Sequence, residues 1–565
     1  MSSEKSRKLQ RLRVGGLPLI HAVMERMRLR EILYEAIPGH GNEAVPAVET
    51  LMLLIGNLTL GKHPLYQLEE WVGSLDGRVL GYENLPRGCF NDDRFGRALD
   101  KLYWADRASL MTRLVVTMIK QFDLHMDRVH NDSTTLKAFG RIAGKTRTGL
   151  QLRRGHSKEH RPDLKQLVFT LSISAEGAVP VHQKSYPGNR TDDTTHIETW
   201  NILRGIHQDP GFLYVADCKL CTDGQLSYIA GHGGRAITII PETWKETVSF
   251  KESLRNTRKA KKEIWRRTKP GSYPQDAEME YFSVFAGTHR TKKRDYTIHW
   301  IYSSEKRKRD RDAREARLRK AERELSELNA RINTRKLKTK ANIKVAVKAI
   351  LSERSVEEFF LLEIGTTREE SRVQIGKGRP GKNTKYRRHI KTIYTLTWTR
   401  NTSALKQEAK THGIFPLLCT DESLSAKEVL QAYKYQPRLE KRFSQFKKIH
   451  NATPLLFKKI ERVEANMFAF FIALMIQALI EREVRQKMKD NDIPSLALYP
   501  EEREAMHPTT SKIMNIFADV STYKFIRGHE VIEEYKDDLT DTQKAILRLL
   551  DIPQTQFWRP KRRRL

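Results

Sequence analysis

LHMDRVHND, residues 124–132, is where the character of the chain changes. Apolar and polar residues here mix in the manner of an extended strand, and the stretch ends on Asp132. Downstream, LVFTLSIS (167–174) and AVPVHQKSY (178–186) read as two more strands, joined by a turn at Glu176-Gly177. Residues 193–207 read as a helix capped by Asp192 or Asp193. FLYVADC (212–218) is a short apolar strand ending on Asp217, and RAITIIP (235–241) is another.

Three strands, a helix, a strand, a helix and a strand is the order of an RNase H-like α/β core. Upstream, Ile20, Val23, Met24 and Met27 recur at helical spacing, and apolar helical patterns follow at 44–60, 63–75, 92–104 and 107–122. Pro38-Gly39 and Pro86-Arg87-Gly88 interrupt them. The expected layout is an all-α N-terminal domain (1–122), the first part of the core (123–241), an insertion (242–412), the second part of the core (413–490) and a helical C-terminal region with a basic tail (491–565). The insertion is β-rich at YFSVFAG (281–287), YTIHWIYSS (296–304) and IKTIYTLTWT (390–399). Between these lies a charged helix, roughly 305–335, with Leu318, Leu325 and Ile332 in heptad register and Ala321 and Leu328 between them. That seam suits either a coiled-coil arm or a self-folded helical hairpin.

Lys and Arg number 102 against 69 Asp and Glu, a net charge of +33 over 565 residues. A folded chain of this charge favours a polyanion, because each phosphate contact releases condensed counterions. Hydrophobic residues make up 39%, too many for a disordered polyelectrolyte. Four cysteines make no disulfide framework. Cys218 and Cys221 have CxxC spacing, but Cys89 and Cys419 stand alone, so a structural zinc site lacks its second pair. The basic opening MSSEKSRKLQRLR has no apolar run, and MFAFFIALMIQALI (467–480) is shorter than the ~20 residues of a membrane span. It reads as a buried core helix, and the expected protein is soluble and cytoplasmic, with no membrane partner.

Asp132 and Asp217 end neighbouring strands of the expected sheet, the edge where open α/β sheets place their ligands. Glu440 stands in AYKYQPRLEKRFSQFKK, just after Pro437, which suits a first helical turn. Arg438, Lys441, Arg442, Lys447 and Lys448 surround it. Strand transfer on DNA needs charge neutralisation at the attacking and departing oxygens. Two Mg²⁺ ions about 4 Å apart provide it, and Mg²⁺ prefers carboxylate oxygens. Singly, each acid reads more readily as a turn residue, a cap or an i, i+4 ion-pair partner, and it is the three together, in this order on these elements, that point to the site. The basic run RGHSKEHRP, with Arg153, Arg154, His156, Lys158, His160 and Arg161 in or beside it, lines a DNA path or forms a solvated loop. Trp244 and Trp265 suit stacking on a flipped base less well than core packing.

HNDSTTLKAFG (130–140), RGHSKEHRPDLKQ (154–166), LYVADCKL (213–220) and YKYQPRLEKRFSQFK (433–447) resemble bacterial insertion-sequence DDE transposases of the IS-four superfamily, in the branch with a long insertion before the last acid. The superfamily signature is Tyr, two residues, Arg, three residues, Glu, six residues, Lys. Tyr433, Glu440 and Lys447 fit it, whereas Gln436 occupies the Arg position and Arg438 stands two residues on. The resemblance implies a metal-dependent transposase with Asp132, Asp217 and Glu440 as catalytic, metal-holding residues. It implies two Mg²⁺ ions, replaceable by Mn²⁺, and double-stranded DNA partners: the element's terminal inverted repeats and the target. It also implies a homodimer on DNA and a bacterial, nucleoid-associated location. Tyr433, Arg438, Arg442, Lys447, Lys448, Arg153, Arg154 and Lys158 are the expected DNA-binding residues. A catalytically inactive DNA-binding relative and an RNase H-like nuclease are the alternatives.

Overall fold

The computed structural model describes residues 7–558 except 40–42, 62, 83–87, 140–141, 143, 159–160, 270–277, 335, 450–456, 500, 502 and 529. The tail RPKRRRL (559–565) and His160 therefore lie outside the described residues. The chain forms two compact units, residues 1–238 with 431–565, and residues 239–430. The whole is a mixed α/β protein.

The first unit opens with a strand, β1 (Arg7–Arg13), not a helix. It pairs antiparallel with strand Ser521–Arg527, which pairs in turn with Glu530–Lys536. The expectation of purely helical N- and C-terminal regions is thus corrected. RKLQRLR carries its apolar residues at Leu9 and Leu12, too sparse to announce a strand, and a partner over 500 residues away supplies the pairing. Helices Leu17–Arg26, Ala47–Leu60, Asp92–Trp104 and Arg107–Phe122 follow. The first three pack with helix Ile460–Asp490, in which every residue from Ala465 to Glu481 is buried. The helix is 31 residues long and apolar enough to cross a membrane by length and composition, yet 94% of its most apolar window is buried inside the protein. A helix apolar all round is what a core position demands.

The sheet of this unit contains β2 (Arg128–Ala138), β3 (Lys165–Ser174), β4 (Pro180–Pro187), β5 (Leu213–Val215) and β6 (Arg235–Ile239), in spatial order β4-β3-β2-β5-β6. The first three form an antiparallel meander. β5 is parallel to β2, and β6 to β5. Helices His196–His207 and Asp223–Gly231 make the two crossovers. The element order is the one read from the sequence. The first crossover helix is preceded by a 3-10 turn over Asp192–Thr194, and its N-cap is Thr195, not either aspartate.

The second unit carries β7 (Lys261–Thr268), β8 (Met279–Phe285), β9 (Thr297–Ser303), β10 (Phe360–Gln374), β11 (Tyr386–Arg400) and β12 (Ile414–Cys419). β12, β9, β8 and β7 pair antiparallel in that order. Phe250 stacks on Trp300 with ring centroids 3.9 Å apart, and Trp265 on Phe282 at 5.1 Å, so Trp265 packs in its own unit. Helices Ser304–Asn329 and Lys340–Arg354 form a hairpin. Leu318, Ala321, Leu325, Leu328 and Ile332 are buried there against Ile343, Val347, Leu351, Phe360 and Leu396. The heptad seam is therefore satisfied within the unit. The hairpin reading holds, and the coiled-coil arm has no exposed seam to offer.

Candidate active site

The helix carrying Glu440, Pro437–Ser444, has Pro at its first turn as the sequence indicates. Leu439, Arg442 and Phe443 are buried, spaced to cover one face. Beyond it, a π-helical turn over Gln445–Ile449 places Phe446 on Phe169 of β3, 4.7 Å between centroids. Glu440, Arg438 and Lys441 are left exposed.

Gln436, at the N-cap, does not cap the helix with its side chain. Its Nε2 donates to the Asn131 carbonyl at 3.0 Å, and its Oε1 accepts from His130 Nδ1 at 3.0 Å. His130 is fully buried and its ring lies 5.0 Å from that of Tyr435. Burial pushes the imidazole down to about 4, the Gln436 hydrogen bond opposes this, and nearby Arg128 adds to it. The neutral tautomer with the proton on Nδ1 suits this bond. In the sequence Gln436 stands only as a departure from an Arg. Its position at a helix start, beside a buried strand, is the signal that identifies it as a fastener.

Asp132 lies on β2, half-buried. Its Oδ1 accepts the Ser133 N–H at 2.7 Å and lies 3.5 Å from Lys158 Nζ. Lys158 also donates to the Ser133 carbonyl and hydroxyl, each at 2.8 Å. The described basic side chains of the run, Arg153, Arg154, His156, Lys158 and Arg161, are exposed, yet its backbone is tied down. The run folds back on β2, with the Lys158 amide donating to Thr135 Oγ1 and Gln166 Nε2 to the His156 carbonyl. Two glycines permit this: a Cβ on Gly155 would lie 2.2 Å from the Gly188 carbonyl oxygen, and one on Gly188 2.3 Å from that of Arg153. Arg153 and Arg154 stay exposed, with donors turned to Gln151 and to the Asp163 carbonyl.

Asp217 follows β5, half-buried, and its Oδ1 accepts the Lys219 N–H at 3.0 Å. The phenol of Tyr433 relates the three acids. Burial raises it well above the ordinary tyrosine value, and the charges of Asp217, Cys218, Asp132 and Glu440, in that order, raise it further. All three carboxylates thus act on the field at this one hydroxyl, Glu440 most weakly. Tyr214, fully buried, is raised by burial and then by Tyr186, Asp217 and Asp132.

The donor set fits a hard divalent cation in kind, since it consists of carboxylate oxygens. Among the described residues, no three His, Cys, Asp or Glu side chains are already arranged to hold one ion. One expected DNA contact is corrected. Arg442 is buried, its guanidinium bonded to Glu481 (2.9 Å), Gln445 (2.7 Å) and the carbonyls of Ala178 (2.9 Å) and Gly177 (3.0 Å). It secures the helix to the β3–β4 turn and presents nothing to a phosphate. Lys447 is half-buried, and the side chain of Lys448 lies outside the described residues.

Residues 9–116 match a family model described as a domain of unknown function, DUF4277. No curated protein matches. Among solved structures, the chain is similar to a piggyBac transposase in a synaptic complex with hairpin DNA, at 7% identity and a TM-score of 0.35, over 90% of this chain and 82% of that one. At that identity and TM-score nothing about this chain follows from the likeness.

Proposed function

We propose that the chain is a DNA transposase of the DDE type, built on an RNase H-like core, in which Asp132, Asp217 and Glu440 act together on phosphodiester bonds. The observation that carries this reading is the hydrogen bond from Gln436 to the Asn131 carbonyl, which joins the Glu440 helix to β2 beside Asp132; the charges of Asp132, Asp217 and Glu440 all raise the Tyr433 phenol, in keeping with it. The charge of +33 supports DNA as the partner. Asp132, Asp217 and Glu440 would hold two Mg²⁺ or Mn²⁺ ions. Bound there, such ions supply charge neutralisation for the attacking and departing oxygens and lower the pKa of water. Lys158 balances Asp132, Gln436 sets the helix of Glu440 against β2, and the exposed Arg438 offers a phosphate contact beside the acids. Pairing of two element ends favours a homodimer on DNA, in a bacterial cytoplasm.

The test is cleavage of duplexes spanning the DNA that flanks the gene, with Mg²⁺ or Mn²⁺. Wild type cuts at defined ends. Asp132→Asn, Asp217→Asn and Glu440→Gln each abolish cutting and keep binding. Cutting that survives all three changes overturns the assignment. One observation favours the second reading, a non-catalytic DNA-binding relative: the acids do not stand as a ready ligand set. That reading expects binding without cleavage in either cation.

A further inference from the structure

The hairpin β10–β11 runs in register from Phe360↔Arg400 to Gln374↔Tyr386. Its base is anchored, with Phe360 and Leu396 buried in the core of the second unit and Ile364, Tyr394 and Trp398 packed against it. From Thr366 outward nearly every residue is exposed on both faces. Nine residues of strand at about 3.3 Å each make a projection of roughly 30 Å, and hydrophobic burial does not account for it.

Residues 371–391 hold Arg372, Lys377, Arg379, Lys382, Lys385, Arg387, Arg388 and Lys391, and no Asp or Glu. Arg372 and Arg388 are direct cross-strand partners. Like charges so placed destabilise a free hairpin; Glu370 pairs with Arg388 and relieves part of this. A polyanion laid along the ribbon would relieve the rest.

The tip is Gly376-Lys377-Gly378-Arg379-Pro380-Gly381-Lys382. Gly376 and Gly378 adopt φ of +104° and +129°, which side-chain-bearing residues rarely enter, and a Cβ on Gly376, Gly378 or Gly381 would meet nothing within 4 Å. The tip is nonetheless ordered: Gln374 Nε2 donates to the Gly378 carbonyl at 3.0 Å, and the Gly381 N–H to Thr384 Oγ1 at 2.7 Å. Arg379 thus stands between Gly378 and Pro380, on a slim segment with a cation every two or three residues. The minor groove of B-DNA is about 6 Å wide. A/T tracts narrow it further and deepen its negative potential, which draws in arginine.

We propose that this ribbon is a DNA-binding arm whose tip seats Arg379 in the minor groove of A/T-rich duplex, with Lys377 and Lys382 on the flanking phosphates. It rests on the reading above only in taking DNA as the partner, and its test needs no cleavage.

Full-length protein is titrated, in EDTA, against a fluorescent A/T-rich duplex and a G/C-rich duplex of equal length. Wild type should prefer the A/T duplex several-fold. Arg379→Ala should abolish that preference, and the triple change Lys377→Ala, Arg379→Ala, Lys382→Ala should weaken A/T binding about tenfold or more. Shortening the hairpin by replacing residues 371–391 with a two-residue turn should do the same, while thermal stability stays at the wild-type value. Unchanged A/T affinity in the triple variant overturns the arm. Equal wild-type affinity for the two duplexes overturns the minor-groove seating. A wild-type A/T preference, lost in Arg379→Ala, in a protein that cuts no DNA when Mg²⁺ or Mn²⁺ is supplied would uphold the arm and count against the catalytic assignment alone.

Discussion

The side-chain amide of Gln436 donates across 3.0 Å to the carbonyl of Asn131. It fastens the start of the helix bearing Glu440 to the residue just before Asp132, so two of the three acids share one hinge point. Gln436→Leu would leave that carbonyl and the Nδ1–H of His130 buried without partners, at about 1–3 kcal/mol each. The helix would then shift. A misplacement of about 1 Å at a reacting centre can cost on the order of 100-fold in rate. Cleavage should fall at least tenfold while DNA affinity stays within about twofold. Gln436→Glu keeps the bond from His130 but loses the donor to Asn131. In that variant the imidazole, followed by NMR, should titrate well above its wild-type value. An unmoved imidazole would show that the two side chains do not meet.

Lys158 stands where a cation bound to Asp132 would compete with it, 3.5 Å from Oδ1. Two charges about 4 Å apart interact by about 1 kcal/mol in water and more in partial burial. Removing the ammonium should leave Asp132 more receptive to metal. Lys158→Met should therefore lower the Mg²⁺ concentration for half-maximal cleavage several-fold, even if the maximal rate falls with a lost phosphate contact. A higher Mg²⁺ requirement in the variant would mean that Lys158 assists the metal site instead.

The two histidines lowered furthest, His130 and His182, contribute most to the acid response of the fold. Burial lowers both His130 and His182 to about 4; Arg128 adds to the first, and Lys184 to the second, against an opposing Glu198. The unfolded chain takes up these protons near pH 6.5, and the folded chain only near pH 4. Stability is therefore complete above about pH 6.5 and falls as pH drops toward 4, by up to roughly 3 kcal/mol per histidine. Melting temperature should decline through this window. His182→Gln should flatten the decline, and a variant that tracks wild type throughout would remove His182 from the explanation.

Much of the core was legible because it is local. Asp217 follows an apolar run, and Pro437 marks a helix start, so two of the acids could be placed on their elements from neighbouring residues alone; Asp132, expected at the end of its strand, instead lies within β2, whose pairing with β3 carries it on to Ala138. The pairing of β1 with Ser521–Arg527 was not legible, since neither segment patterns strongly and the contact joins the two ends of the chain. β10 was missed because Glu369, Glu370 and Arg372 interrupt any apolar alternation, a consequence of its having no core to face. The heptad seam showed which residues would be buried, but not by what: Leu318 and Leu325 meet Val347 and Leu396 of their own unit. Arg442 misled for a related reason. A basic helix next to a candidate catalytic acid looks like a phosphate binder, and only the packing shows which cations face inward.

Arg438 and Arg442, four residues apart on one helix, should for that reason behave oppositely. Arg442 is paired with Glu481 in the interior, where Glu481 also accepts from Gln445 and the Thr510 N–H. Taking away one partner of a buried pair costs about 3–5 kcal/mol when the other charge is left alone, and less here because Arg485 also lies 3.6 Å from Glu481. Arg442→Ala should lower the melting temperature by several degrees, and at temperatures where it remains folded it should bind DNA with wild-type affinity and wild-type salt dependence. Arg438 is exposed, so Arg438→Ala should leave the melting temperature unchanged. It should weaken DNA binding and reduce the slope of log affinity against log salt by about one, as expected for one lost phosphate contact. If Arg442→Ala reduces the salt slope while Arg438→Ala does not, the buried and the exposed arginine of the Glu440 helix have been assigned the wrong way round.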